Sequence, residues 1–184
     1  MVPVGGKPIL WHIMKNFSTF ALNEFVVCAG YRGEVIRQYF RDFETMNSDF
    51  TVQIGPKTEI KSHGKLEESG WVVTIADTGQ DTMTGGRLFK VKDYVGNETF
   101  ICTYGDGLAD VDISELLKFH KSHGKIATVT TVRPISRFGV LDLKEDGTVE
   151  SFREKPQADG WINAGFFVFE PAIFNYLNHD SVLE

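Results

Sequence analysis

Asp106 stands between two glycines, directly after the apolar run Phe100-Ile101-Cys102-Thr103-Tyr104. A short continuous apolar run ended by Gly105-Asp106-Gly107 predicts a strand buried on both faces. In open α/β sheets, ligands bind beyond the carboxyl ends of such strands. A carboxylate there suits a hard cation such as Mg²⁺, which takes few carboxylates and fills its other positions with water and phosphate oxygens. The flanking glycines leave room for a phosphate or a metal against the backbone. The plainer role for such an aspartate is to make a turn. Asp112 is read as a helix N-cap, because Glu115 three residues on completes a capping box. The acid spacing through Asp110 and Asp112 does not match an EF-hand loop, so calcium is set aside.

Three other groups have types and spacing that suit an anionic sugar or nucleotide. Thr84-Gly85-Gly86-Arg87 opens a helix, where backbone N–H groups meet an anion or a base edge. Arg87 itself either grips phosphate or base with two donors or sits solvated on the surface. Glu154-Lys155-Pro156 closes a strand around Val149 to Phe152, and its lysine offers a point charge to a phosphate or forms an exposed charged turn. Asn163-Ala164-Gly165 interrupts an aromatic strand running to Phe169. A glycine there weakens the strand unless something approaches closely, either a sugar hydroxyl or the neighbours of a bulge. His120 and His123 share a face near one helix end. With no third ligand in view they suit the helix dipole better than a metal. No Walker loop, G-x-G-x-x-G or G-x-S-x-G is present, which removes P-loop, dinucleotide and nucleophilic-serine chemistry.

The elements that must position these groups alternate. Helical spacing covers residues 8–20, 33–43, a segment from Thr84 through Tyr94, and 112–123, with Gly124 as a stop. Strand patterns cover 25–29, 50–54, 71–76, 100–104, 126–132, 138–143, 148–153 and 162–169. The polar stretch from Lys57 to Gly70 is a loop or a hairpin. Alternation of strand and helix in the first half predicts a parallel sheet with right-handed crossovers and helices on both faces. The 18 glycines, about a tenth of the 184 residues, mostly punctuate element ends.

Composition narrows the class further. Hydrophobic residues make 42%, charged residues 24%, and 25 acidic against 19 basic side chains give a net charge of −6. These values exclude disorder, and an acidic chain argues against a nucleic-acid binder. No run approaches the roughly 18–20 apolar residues of a membrane span, and the start lacks a secretory pattern. Cys28 and Cys102 lie in apolar runs and are expected to be buried free thiols of a cytoplasmic, single-domain protein.

Together the motifs acquire meaning. Val4-Gly5-Gly6-Lys7-Pro8-Ile9-Leu10, Asp77-Thr78-Gly79 with Met83-Thr84-Gly85-Gly86-Arg87, Tyr104-Gly105-Asp106-Gly107, Phe152-Arg153-Glu154-Lys155-Pro156 and Ile162-Asn163-Ala164-Gly165-Phe166 occur in this order. The set, from Val4 to Phe169, resembles the sugar-1-phosphate nucleotidylyltransferases, and its Thr-Gly-Gly-Arg and Tyr-Gly-Asp-Gly forms are similar to the cytidylyl branch. The resemblance implies a Rossmann-like nucleotide-diphospho-sugar transferase fold, a mixed but mostly parallel central sheet covered by helices on both faces. It implies Mg²⁺-dependent transfer of a cytidylyl group from CTP to α-D-glucose 1-phosphate, in a homo-oligomer. By the same likeness Asp106 binds the metal and Lys155 the sugar phosphate. Gly139, Glu154, Asn163 and Gly165 contact the sugar, while Thr84, Gly85, Gly86, Arg87 and Gly105 lie at the nucleotide. UTP or dTTP in place of CTP, and a non-catalytic binding module, are the competing readings. The family's opening strand with its Gly-Gly-x-Gly-Thr-Arg loop, and its second metal aspartate, have no counterpart in residues 1–184. The chain alone is therefore expected to be one domain lacking both end segments, poorly soluble and inactive.

Overall fold

A computed structural model describes residues 1–68, 70–158 and 160–183. The chain opens with a minimal hairpin, β1 (Pro3–Val4) and β2 (Lys7–Pro8), whose central Gly5 and Gly6 have φ of 54° and 85°. Two positive φ values in succession define the turn whose twist matches flanking strands, and glycine adopts them without a Cβ penalty. Helix α1 (Ile9–Ser18) follows and turns Ile13, Met14 and Phe17 inward. Its inner face meets Ile113 and Phe166 in one of two apolar clusters.

Strand β3 (Glu24–Ala29) pairs in parallel with β6 (Val72–Asp77) over six residues. Between them lie α2 (Gly33–Arg41), α3 (Phe43–Asn47) and an exposed hairpin, β4 (Asp49–Gln53) with β5 (Glu59–His63). The helical run expected over 33–43 is thus broken at Asp42. Its carboxylate accepts from the side chains of Gln38 and Arg41, at 2.9 Å each, and its backbone leaves helical geometry. The polar stretch after Lys57 resolves in favour of a hairpin.

Helices α4 (Thr84–Lys90) and α5 (Lys92–Val95) lead to β7 (Phe100–Cys102), two residues shorter than its apolar run. Helix α6 (Ile113–His123) begins as the sequence predicts, with Asp112 Oδ1 accepting from the Glu115 N–H at 3.0 Å, and ends at left-handed Gly124. The carboxylate of Glu115 does not close the box; it pairs with Lys118 instead. Strands β8 (Ala127–Val132), β9 (Val140–Leu143), β10 (Val149–Arg153) and β11 (Ile162–Phe169) follow, then a 3₁₀ turn over Pro171–Tyr176.

The α/β class holds, and the parallel order expected of the sheet is realised in the β3–β6 pair. Strand β11 runs antiparallel to both of its neighbours, β7 and β8. The reason lies in the connection, because β11 is reached from the β9–β10 hairpin, not through a helical crossover. Among the described residues no ladder joins β3 to β7. Side chains bridge that seam: Val26, Cys28, Phe100 and Cys102 pack against one cluster built on Leu88, Val91, Phe167 and Phe169. Both thiols are free. Burial raises Cys28, and it pushes Cys102 up to about 12.

A polar network lies under α6. Lys125 donates its backbone N–H to His123 Nδ1 at 3.0 Å, which leaves the proton on Nε2 facing Thr128 Oγ1 at 2.8 Å. The Thr128 hydroxyl then serves as donor to His120 Nδ1 at 2.7 Å, and His120 Nε2 faces Glu170 Oε1 at 3.0 Å. Thr99 donates to the same carboxylate oxygen at 2.9 Å. Every ring nitrogen of the pair finds a partner, which explains why His120 tolerates 1% exposure. Both histidine rings are thus engaged by the chain's own Thr128, Lys125 and Glu170. Among the described residues, no cluster of three metal-ligating side chains is found, and no helix is long and apolar enough to cross a membrane.

Candidate functional site

The carboxyl ends of β7 and β10, the amino ends of β9 and β11, and the first turn of α4 carry the residues singled out from the sequence. Asp106, just past β7, is exposed and makes no hydrogen bond or ion pair among the described residues. A Cβ added at Gly105 or Gly107 would meet nothing within 4 Å. An unpaired carboxylate beside open backbone is the donor chemistry a Mg²⁺ shared with phosphate oxygens requires, so these residues fit the ion.

The β9–β10 hairpin brings Gly139, Glu154 and Lys155 together. An ideal Cβ at Gly139 would lie 2.5 Å from the Phe152 ring and 3.2 Å from Glu154 Oε2, so only glycine lets the strand pass there. Lys155 Nζ is 3.9 Å from Glu154 Oε1, and both side chains are exposed. The Lys155 backbone sits at φ 44°, a left-handed conformation that a lysine adopts at a cost of about 1–3 kcal/mol. The following Pro156 contributes, because its ring excludes the right-handed helical region from the residue before it.

Asn163 and Gly165 sit at a register shift between β11 and β8, so the bulge foreseen as one alternative is present. Gly165 has φ 83° and is buried. Its N–H donates to Asn163 Oδ1 at 2.7 Å, and Asn163 Nδ2 donates to the Tyr104 hydroxyl at 3.3 Å. The group that approaches the glycine is the Tyr104 ring, whose Cε2 would lie 2.9 Å from a Cβ there.

The Thr84-Gly85-Gly86-Arg87 segment is turned toward the chain's own residues 178–183. Gly86 donates its N–H to the Ser181 carbonyl at 2.8 Å, and Thr84 Oγ1 accepts from the Leu183 N–H at 2.9 Å. A Cβ on Gly85 would meet Ser181 Cβ at 2.8 Å, and one on Gly86 would collide with the His179 carbonyl. Arg87 faces the loop after β6. It donates from Nη1 to Thr78 Oγ1 at 2.7 Å and from Nη2 to the Gln80 carbonyl at 2.9 Å. Lys90 donates to the Thr78 carbonyl at 2.8 Å and to Thr82 Oγ1 at 3.0 Å. The same loop, with Lys90, His179 and Asp180, lines a cavity of about 550 Å³. Asp77 caps the loop through the Gly79 N–H, which, ahead of the Arg37 charge, holds its carboxyl below the usual range.

Thus the structure joins Gly139 to Glu154 and Lys155, Asn163 to Gly165, and the 84–87 segment to the loop 78–82. It records no contact between Asp106 and Lys155. Tyr104, Thr78 and Lys90 are the residues that sequence reasoning passed over as site members. Tyr104 had a signal in the glycine that faces it and Thr78 had one in the Asp77-Thr78-Gly79 motif, while Lys90 had none, because a loop's long-range partners carry no periodicity.

An exposed, unpaired aspartate thus stands past β7 beside the polar bulge of β11, and a separate two-stranded hairpin carries Glu154 and Lys155. The chain belongs to the nucleotidyl transferase family, whose model matches residues 1–183. It is 47% identical over 183 residues to the glucose-1-phosphate cytidylyltransferase of Salmonella typhimurium, covering 98% of this chain and 70% of that protein. It is 45% identical over 178 residues to a probable glucose-1-phosphate cytidylyltransferase of Bacillus subtilis, covering 97% and 68%. Among solved structures, HddC from Yersinia pseudotuberculosis superposes with a TM-score of 0.64 at 21% identity, covering 98% of this chain and 71% of that one. A UDP-glucose pyrophosphorylase complexed with UDP-glucose gives 0.61 at 14% identity, covering 95% and 68%. The last two likenesses establish the nucleotide-diphospho-sugar transferase fold.

Proposed function

We propose that this protein transfers a cytidylyl group from CTP to α-D-glucose 1-phosphate, giving CDP-glucose and pyrophosphate. The observation that carries the reading is the 47% identity to a glucose-1-phosphate cytidylyltransferase across 98% of the chain. The unpaired Asp106 at the sheet edge agrees with it. In this reading a phosphate oxygen of the sugar phosphate attacks the α-phosphorus of CTP in line. The new P–O bond forms as the bond to the β-phosphate oxygen breaks, and pyrophosphate leaves. Such transfers ask the protein mainly for positioning and charge neutralisation.

Lys155, aimed by its left-handed backbone, holds the sugar phosphate. Glu154 accepts from sugar hydroxyls beside Gly139, and the Asn163–Gly165 bulge lines the same subsite. Asp106 holds Mg²⁺, which when bound neutralises phosphate charge. Gly105 keeps the backbone low beside the phosphates, and Thr84, Gly85 and Gly86, covered by residues 179–183, serve the nucleotide only through the loop that their helix holds. Arg87 serves by fixing the loop after β6 that meets the cytosine. A homo-oligomer is supported by the uncovered apolar face of the β9–β10 hairpin, Leu141, Leu143, Val149 and Phe152. The two free thiols suit the reducing cytoplasm, where nucleotide sugars for polysaccharides are made.

The test is pyrophosphate release by the product of the whole reading frame, with Mg²⁺, glucose 1-phosphate and CTP, UTP, dTTP or ATP in turn. Turnover confined to CTP is expected, with Asp106→Asn lowering kcat by about two to three orders of magnitude. Turnover with UTP or dTTP instead would reassign the nucleotide. No release with any nucleotide would replace the enzyme by a binding module.

A further inference from the structure

We propose that Tyr104 is a positioning residue that ties the sugar-side bulge to the strand end carrying Asp106, so that the two halves of the site hold one register. The inference rests on the transferase reading above. The β7–β11 ladder pairs Phe100 with Phe169, Ile101 with Val168 and Cys102 with Phe167. Continued by two residues, that register sets Tyr104 opposite Gly165, and by two more it sets Asp106 opposite Asn163. Beyond Cys102 no ladder pair is formed, because the bulge lifts β11 away. Tyr104 supplies by side chain what the backbone gives up.

The Cδ2–Cε2 side of its ring occupies the space a Cβ would need at Gly165, with Cγ also in contact range. An aromatic ring over a cross-strand glycine covers backbone that would otherwise lack a packing partner. The same ring makes an edge contact with Phe167 at a centroid distance of 6.0 Å. At its tip the hydroxyl accepts from Asn163 Nδ2 at 3.3 Å. The Asn163 amide has only one orientation here, because its Oδ1 is held by the Gly165 N–H at 2.7 Å. One side chain therefore fixes the bulge from two sides, by shape at Gly165 and by a hydrogen bond at Asn163. Tyr104 remains 37% exposed, so the lock stands at the site's surface and not in the core.

The experiment measures KM for each substrate and kcat in Tyr104→Phe, Gly165→Ala, Tyr104→Ala and the Gly165→Ala/Tyr104→Ala double variant, with thermal unfolding alongside. Tyr104→Phe keeps the ring and removes the hydroxyl. It is expected to raise KM for glucose 1-phosphate about three- to tenfold, the range of one neutral hydrogen bond, while KM for CTP and kcat stay within about twofold. Gly165→Ala is expected to raise the same KM by more than about tenfold, and the double variant to raise it by less than the product of the single effects. Equal effects on both substrates, no effect of Tyr104→Phe, or strict additivity in the double variant would overturn the inference. Absence of turnover in the wild type would fell the transferase reading instead. In that event, additivity of the same pair in thermal unfolding would separately refute the Tyr104–Gly165 lock.

Discussion

Thr78→Val isolates the contact that anchors the loop after β6. Thr78 is 1% exposed, and its hydroxyl donates to the Ala29 carbonyl at 2.9 Å while accepting from Arg87 Nη1 at 2.7 Å. Valine keeps the shape and removes both bonds. The Ala29 carbonyl remains satisfied, because the Thr78 N–H also reaches it at 2.9 Å. The loss therefore concentrates on the guanidinium, which is left facing a methyl group. A hydrogen bond to a charged group contributes about 1.5–3 kcal/mol, and the second Arg87 bond, to Gln80, limits the damage, so about 2 kcal/mol is expected. For a chain of this size that corresponds to a fall in Tm of about 4–8 °C. Urea titration at fixed m value measures it, with Thr78→Ser, which keeps the hydroxyl, as the control. Combined with Arg87→Gln, the valine variant should add much less than its single effect, since both remove one interaction. A Thr78→Val protein within about 0.5 kcal/mol of wild type, or a serine variant equally damaged, would refute the reasoning.

Two other outcomes follow from geometry already described. Gly86→Ala, which in an ordinary helix would add stability, is expected to cost about 1–3 kcal/mol, because the new methyl must displace the His179 carbonyl. Gly55→Ala, whose Cβ would meet only the Lys57 carbonyl at 3.9 Å, is the matched control in the same urea titration. The Glu170 carboxyl is held below its ordinary 4.5 by the Thr99 hydroxyl first and His120 second. Its contribution is therefore fully present above that value and is lost as pH falls through the lowered one. The stability gap between wild type and Glu170→Gln, followed by urea titration from pH 7 to 3, should be constant above about pH 5 and narrow below it.

Much of this arrangement was legible in the residues because local physics decides it. Asp112 caps α6 and Gly124 ends it, and the apolar runs at Phe25 and Phe100 became strands of two different sheets. Asp106 could be placed at a sheet edge because a run's end and its flanking glycines are adjacent in sequence. What stayed hidden depends on partners far along the chain. Gly165 signals a close approach but not that the Tyr104 ring makes it, and nothing near Arg87 announces that both its terminal nitrogens are committed to Thr78 and Gln80. The glycine pair at 85 and 86 read as an opening for an anion, yet it admits residues 179–181 of the chain itself. The break at Asp42 was missed for a related reason, since side chains from one turn earlier compete for its carboxylate.

The seam between β3 and β7 has a consequence for how the molecule breathes. The parallel pair and the antiparallel triple are joined by interlocked side chains and by no strand-to-strand hydrogen bond among the described residues. Either sheet can open while the other keeps its ladder. Amide exchange should therefore sort the strands into two protection classes, Glu24–Ala29 with Val72–Asp77 in one and Phe100–Cys102, Ala127–Val132 and Ile162–Phe169 in the other, each with its own opening free energy.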